Sequence, residues 1–185
     1  MIQISTVITD AKLLQMSLKN PELRFERNAD GTLITMTPIG SISGNREAKA
    51  IAYLLHWVET NKLGEVFSSS TGFKLPNSAI RSPDVAFVAT NCLPQGWKEK
   101  EDQFLNLAPD FIIEIRSKSD SLSQLKEKME EYRDNGVKLG WLIDPHNQQA
   151  FVYRQDGSIT QYPSVAILSG EEVVPGFTLA LNVLL

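Results

Sequence analysis

The chain has little of the residue types that form disulfides and zinc sites. Its 185 residues include a single cysteine, Cys92, and two histidines, His56 and His146. One thiol cannot form a disulfide within the chain, and so few thiols and imidazoles exclude a dedicated Cys/His zinc site. This use of cysteine predicts a protein of the reducing cytoplasm.

Long apolar runs and an excess of positive charge are missing as well. No run of about 18 apolar residues occurs, so we expect neither a membrane-spanning helix nor a membrane partner. The first residues lack the basic and apolar segments of a secretory signal, and we expect none. The net charge of −4 argues against a protein that coats nucleic acid through bulk positive charge, but it leaves a local basic groove open.

What is present is the composition of an ordinary globular protein, 42% hydrophobic and 22% charged. No repeat or linker divides the chain, which predicts one domain over residues 1–185, with an N-terminal helix and hairpin in 1–40 and a core in 41–185. The order of helix, hairpin, helix, strands, helix and strands predicts an α/β fold in which helices flank a mixed β-sheet.

Residue periodicity and turn signals place the individual elements. Helices are predicted at 11–18, 45–60 and 122–135, the last capped by Ser121 and ended by Gly136. The apolar side of the second helix would consist of Ala48, Ile51, Ala52, Leu55 and Val58. Strands are predicted at 22–26 and 32–36 (the hairpin), 65–69, 72–75, 85–89, 111–116, 138–143, 149–154 and 158–162.

Glu114 interrupts the strongly apolar strand at 111–116. An ionised carboxylate in a central strand is costly unless it is paired or bound to a metal. Asp84 is a second carboxylate, at the start of the other apolar strand, and if the two strands are neighbours both acids reach one end of the sheet. Two carboxylates, water and a backbone carbonyl suit Mg²⁺, which can activate water and offset the charge that develops on a phosphodiester. The alternative is that Asp84 starts a turn after Pro83 and that Glu114 pairs with Arg116 or a lysine.

The predicted helix that follows Glu114 carries a candidate site residue, Lys128. Lys128 and Tyr132 are four residues apart and therefore neighbours on the helix surface, beside the helix's apolar stripe. The lysine stem can be buried while the ammonium faces the sheet, where it would orient a metal-bound water or stabilise a pentacovalent phosphorus. Alternatively, Lys128 makes an ordinary helix-surface pair with Glu127 or Glu131.

Together these motifs resemble a known nuclease signature. Pro83-Asp84 followed by Glu114-Ile115-Arg116 resembles the PD-(D/E)xK signature, with Arg in place of the final Lys. Three stretches resemble the Uma-type restriction endonuclease family, long catalogued as a domain of unknown function: SSSTGFKLPNSAIRSPDVAFV, APDFIIEIRSKSDSLSQLKEKMEEYRDNGVKLGWLIDP and VVPGFTL. The similarity covers nearly the whole chain from Phe25-Glu26-Arg27 onward, and its specificity lies in the combination of motifs.

This resemblance implies a restriction-endonuclease-like core, a metal site and hydrolysis of DNA phosphodiesters. By position, Asp84 and Glu114 would bind Mg²⁺, or Mn²⁺ as a substitute, with help from the carbonyl of Ile115. A helix carboxylate that completes the metal shell in related nucleases would correspond to Glu47, where related sequences often carry Asn.

The arginine at position 116 departs from the signature, because a guanidinium neither loses its proton readily nor replaces a compact ammonium. In some nucleases of this superfamily the catalytic lysine has moved to the following helix, where Lys128 stands. Lys118 is nearer but belongs to the predicted loop. Arg116 would then tune the site or contact phosphate. Arg81 and Lys74 are further candidates for phosphate contacts, although as solvated surface charges they would be unremarkable.

The first hypothesis is therefore a Mg²⁺-dependent DNA endonuclease in which Asp84 and Glu114 bind the metal and Lys128 orients or activates water. The second is a catalytically weak or inactive nucleic-acid-binding module that keeps the nuclease fold, which the arginine at position 116 and the acidic net charge favour. A structural Asp/Glu pair in a scaffold protein is the third. Cutting both strands of a duplex needs two sites, so a homodimer is compatible with the sequence.

Overall fold

The computed structural model describes residues 7–36, 40–99 and 103–185, and all of the predicted site residues fall in these ranges. The α-helices of the described part are α1 (Asp10–Lys19), α2 (Ser41–Asn61) and α3 (Leu122–Asp134). The strands are β1 (Arg24–Arg27), β2 (Leu33–Met36), β3 (Gly64–Ser68), β4 (Phe73–Lys74), β5 (Ile80–Arg81), β6 (Val85–Ala89), β7 (Phe111–Ile115), β8 (Leu139–Asp144), β9 (Gln149–Arg154), β10 (Ile159–Pro163), β11 (Ile167–Ser169) and β12 (Thr178–Ala180). Short 3₁₀ turns lie at Thr90–Cys92, Trp97–Glu99 and Leu181–Val183.

The larger sheet is mixed and has its strands in the order β10-β9-β8-β7-β6-β3. β7 and β8 are parallel, whereas the other neighbouring pairs are antiparallel. Parallel strands need a crossover connection, and α3 supplies it between β7 and β8. The predicted α/β fold with a mixed sheet flanked by helices is confirmed.

Helices cover both faces of this sheet. Because side chains alternate along a strand, Ile113 of β7 lies in one hydrophobic core with Leu54 of α2, and Ile112 lies in another with Met129 of α3. All of β7 is buried. Glu114, two residues after Ile112, therefore faces α3.

A smaller sheet, in the order β2-β1-β5-β4, contains the predicted N-terminal hairpin. β1 and β2 are antiparallel, with Glu26 opposite Ile34. α1 packs on this sheet by burying Leu13 against Phe25 and Ile80. In the described ranges, no helix combines the length and the apolar character needed to cross a bilayer.

Several local predictions need correction. α2 begins at Ser41, earlier than predicted, and it buries Ala50, Leu54 and Val58 while Ala48 and Ala52 are exposed. The buried residues are spaced four apart and form one face of the helix, and Ile51 and Leu55 lie half-buried beside it, so the predicted apolar face is rotated by about one position. Ser121 occupies the N-cap of α3, but its hydroxyl bonds to the Ser123 hydroxyl and not to the helix backbone. β5, β11 and β12 were not predicted, because segments of two or three residues show no period.

Candidate active site

Strand pairing brings Asp84 and Glu114 together. β6 and β7 are antiparallel neighbours, with Val85 opposite Ile113. Asp84 precedes Val85 and Glu114 follows Ile113, so both carboxylates lie at the same end of the pair. The Oδ2 atom of Asp84 accepts a hydrogen bond from the Ile115 backbone N–H at 2.8 Å, which fixes the carboxylate against the end of β7.

A cavity of about 290 Å³ opens in front of these two acids. Asp84, Glu114, Ile115 and Lys128 all line it, so four of the predicted site residues share one space. Hydroxyl groups and an arginine complete much of its polar wall: Arg24, Thr35, Ser43, Ser82, Ser117 and Ser119. The cavity is therefore polar and large enough for a phosphate group with water.

Lys128 reaches this cavity from α3. Its Nζ lies 2.8 Å from Oε1 of Glu114 and 2.9 Å from Oε1 of Glu26. The hydroxyl of Tyr132, one helical turn further on, donates to Oε1 of Glu114 at 3.0 Å. α3 thus supplies both donors to the buried carboxylate, and the alternative of a surface pair between Lys128 and Glu127 or Glu131 is excluded.

The two acids and the lysine influence one another strongly. Burial raises the pKa of Asp84 to about 8, and the negative charges of Glu114 and Glu47 add to the rise, against the Ile115 N–H and Lys128, which lower it. Burial likewise raises the pKa of Glu114 above its ordinary value, although Lys128 counteracts it. Burial alone would lower the pKa of Lys128, but Glu114 and Glu26 outweigh it and hold that pKa above its ordinary value. Lys128 is therefore an ammonium donor at neutral pH, not a base.

The donor set fits one Mg²⁺ ion of the kind that keeps most of its water. Asp84 Oδ1 and Glu114 Oε2 make no hydrogen bond to any described residue, and both carboxylates line the cavity. No cluster of three or more His, Cys, Asp or Glu side chains suited to a metal occurs in residues 7–36, 40–99 and 103–185. Mg²⁺ does not need such a cage, since it is commonly bound by one or two carboxylates with water and substrate phosphate.

Two other predicted site residues stand apart from the cavity. Glu47 of α2 accepts a hydrogen bond from the hydroxyl of Ser69, and it acts on Asp84 through its charge. Arg116 turns away, because its Nη1 lies 3.1 Å from Oδ1 of the buried Asp144. Neither residue is among those that line the cavity.

The two residues predicted to contact phosphate, Arg81 and Lys74, are each paired with an acidic side chain of the chain itself. Arg81 is 6% exposed, and its Nε lies 2.6 Å from Oε2 of Glu131. The alternative of a solvated surface charge is thus wrong for Arg81. The Nζ of Lys74 lies 2.6 Å from Oδ2 of Asp10. Lys118 is exposed on the loop after β7, as predicted.

Sequence reasoning missed Glu26. It is 2% exposed, and besides Lys128 it binds the Ser82 backbone N–H at 2.9 Å and Arg81 Nη1 at 3.4 Å. The only local signal is a charged residue within the short strand β1, next to buried Phe25. Its contact with Lys128 spans 102 residues, which no spacing pattern reveals.

Comparison with known proteins agrees with this architecture. A sequence profile of the family Uma2, described as "Putative restriction endonuclease", matches residues 10–182. A solved structure described as a putative nuclease belonging to DUF820 from Anabaena variabilis superposes with a TM-score of 0.75 and 22% identity, over 93% of this chain and 96% of that chain. At this identity the likeness concerns the fold. No curated protein matches the chain.

Proposed function

We propose that this chain, which belongs to the Uma2 family described as "Putative restriction endonuclease", is a Mg²⁺-dependent nuclease that hydrolyses phosphodiester bonds in DNA. One observation carries this proposal. The carboxylates of Asp84 and Glu114 line a single cavity together with the ammonium of Lys128. Paired carboxylates beside a charged donor are suited to displacement at a phosphate.

Asp84, Glu114 and the carbonyl of Ile115 are the groups that would hold the metal. When bound, the ion would supply Lewis-acid stabilisation of the phosphate and a more acidic water. The raised pKa of Asp84 supports this assignment, because burial and the nearby charge of Glu114 make the ionised carboxylate unfavourable, and a bound cation would offset both.

Lys128 supplies the positive charge that the signature normally takes from the strand. An ammonium has three N–H donors. Glu114 and Glu26 receive two of them, which leaves the third for a phosphate oxygen or the attacking water. Held between two buried carboxylates, the ammonium is already oriented before substrate arrives, and this preorganisation is what stabilises a transition state.

The proposal is tested by incubating supercoiled plasmid with the purified protein and Mg²⁺ or Mn²⁺, and in EDTA. We expect nicked and linear products with metal and none in EDTA. Asp84→Asn and Glu114→Gln should each lower the rate by about 100-fold or more. Asp156→Asn, in the exposed turn between β9 and β10 where Asp156 binds the Ser158 N–H, is the matched control and should cleave normally.

The other outcomes separate the alternatives. DNA binding by the wild-type protein without cleavage would favour the inactive binding module. Equal metal affinity in the wild type and Glu114→Gln, measured by calorimetry, would favour a structural acid pair.

A further inference from the structure

Arg24 differs from the other basic residues around the cavity. It begins β1, and by strand alternation it shares a face with Glu26, two residues later. Its neighbours Arg27 and Arg81 are bound to acids of the chain, and so is Lys128. Arg24 forms no ion pair and no side-chain hydrogen bond with any residue in the described ranges, yet it lines the cavity of Asp84 and Glu114. Its guanidinium is thus available to an anion there.

Arg24 also lines a second cavity, of about 330 Å³, and Ser82 is shared by the two cavities in the same way. The two spaces therefore adjoin at Arg24. One side of the second cavity is polar and is formed by Ser69, Ser70 and Thr71. The other side is apolar and includes Leu14, Leu18 and Leu23 of α1 and the residues that follow it.

The polar side is a defined turn. The backbone N–H of Thr71 donates to the Ser68 carbonyl at 3.0 Å, and the Ser69 hydroxyl is bound to Glu47. Gly72 follows, and a Cβ there would clash with the ring of Phe104, which lines the same cavity, so glycine leaves room for that ring. On the opposite side, the Leu18 side chain is 65% exposed, an apolar surface beside a polar turn.

We propose that this second cavity binds one nucleotide of a single nucleic-acid strand, namely the nucleotide next to the scissile phosphate. Arg24 binds the phosphate at the point where the two cavities adjoin. The base rests against Leu14 and Leu18, and the sugar and phosphate face the hydroxyls of Ser70 and Thr71. A nucleotide has one apolar and one charged side, which matches the two sides of the cavity. In a duplex the base is stacked and paired, so the match is to an unpaired strand. This inference rests on the proposed function.

The experiment measures binding of two fluorescein-labelled probes of about 12 units, an oligothymidylate and an abasic tetrahydrofuran phosphodiester, with Ca²⁺ in place of Mg²⁺. Arg24→Gln should weaken binding of both probes several-fold. It should also make the slope of log binding constant against log salt concentration less steep by about 0.7, which corresponds to the loss of one phosphate contact. Leu18→Ser should weaken only the oligothymidylate, because it removes a contact to the base. Lys62→Gln is the control and should leave the binding of both probes unchanged. Lys62 follows the last residue of α2 and lies near Gly64, at the far end of the β3–β6 pair from Asp84.

The outcomes keep the two proposals apart. Unchanged affinity and salt slope in Arg24→Gln, or equal loss of both probes in Leu18→Ser, overturns the nucleotide cavity and leaves the nuclease standing. The same holds if the wild type cleaves plasmid but does not bind oligothymidylate. A wild type that binds neither probe and cleaves no DNA refutes both proposals.

Discussion

At the scale of single residues, Glu114 determines what its neighbours do. It is 5% exposed in an otherwise apolar strand, where a carboxylate is tolerated only if donors reach it. Tyr132 and Lys128 provide those donors from α3. The strand therefore does not need a lysine two residues after Glu114, and Arg116 is free to pair with Asp144 instead.

Because Lys128 lines the cavity and Arg116 pairs with Asp144, substitutions of these two basic residues should have different effects on cleavage. Lys128→Gln should lower the single-turnover cleavage rate by about 100-fold or more, because the ammonium in the cavity is lost. Arg116→Gln should leave the cleavage rate near that of the wild type and destabilise the fold by about 1–3 kcal/mol, since it leaves buried Asp144 without its charged partner. Lys128→Gln also leaves buried Glu114 and Glu26 without their charged partner, so the cleavage rate is the quantity that separates the two variants. Cleavage kinetics and urea unfolding of both variants measure this. The reverse pattern, with Arg116→Gln inactive but stable, would make Arg116 the catalytic cation.

Glu26 should act through Lys128 and not on the substrate. Glu26→Gln removes one of the two carboxylates that hold the ammonium, so we expect kcat to fall by about 10-fold or more while KM stays close to the wild-type value. Glu131→Gln is the control, because Glu131 also pairs with Arg81 but does not contact Lys128. It should reduce stability with little change in kcat. An equal fall in kcat for both variants would assign Glu26 a structural role only.

At the scale of elements, the strands and helices were largely predictable because their signals are local. The strand at 85–89 was predicted with its observed bounds, since a continuous apolar run after Pro83-Asp84 has few other interpretations. The proximity of Asp84 and Glu114 was predicted on the condition that two such strands are neighbours, and β6 and β7 do pair. What could not be predicted is how the small sheet docks on α3, because Glu26 meets Lys128 across 102 residues. The same docking pairs Arg81 with Glu26 and Glu131, whereas the sequence had predicted a phosphate contact for Arg81.

The N-terminal helix offers a test of this docking. Leu13 is fully buried between α1 and the small sheet, whose strand β1 carries Arg24 and Glu26. Leu13→Ala should therefore destabilise the protein by about 2–5 kcal/mol, and the amides of β1 should exchange hydrogen faster than those of β7. Leu18→Ala on the same helix should change stability by no more than about 0.5 kcal/mol, because that side chain is exposed. Equal effects of the two substitutions on the free energy of unfolding would show that the packing of α1 does not stabilise β1.

At the scale of the whole molecule, the site is a source of instability that the metal is expected to relieve. The negative charges of Glu114 and Glu47 act on Asp84, and burial is the main reason why its pKa rises to about 8 from an ordinary value of 3.8. Between those pH values the folded chain holds a proton on Asp84 that the unfolded chain releases. The contribution of Asp84 to stability in metal-free buffer therefore decreases as pH rises from about 4 to about 8, by at most about 1.4 kcal/mol per pH unit.

Asp84→Asn removes both the titration and the metal ligand, so it should cost activity while it stabilises the apoprotein. We expect the free energy of unfolding in EDTA to be similar for the two proteins near pH 4 and to diverge in favour of Asp84→Asn up to about pH 8, where the wild-type carboxylate becomes charged. Mg²⁺ should then raise the stability of the wild type at pH 8 but not that of the variant, because only the wild type binds the ion with both carboxylates. Urea unfolding at several pH values, with and without Mg²⁺, measures both effects. A stability difference that does not change with pH would mean that Asp84 is ionised in the folded apoprotein, and the electrostatic reason for a cation between Asp84 and Glu114 would be lost.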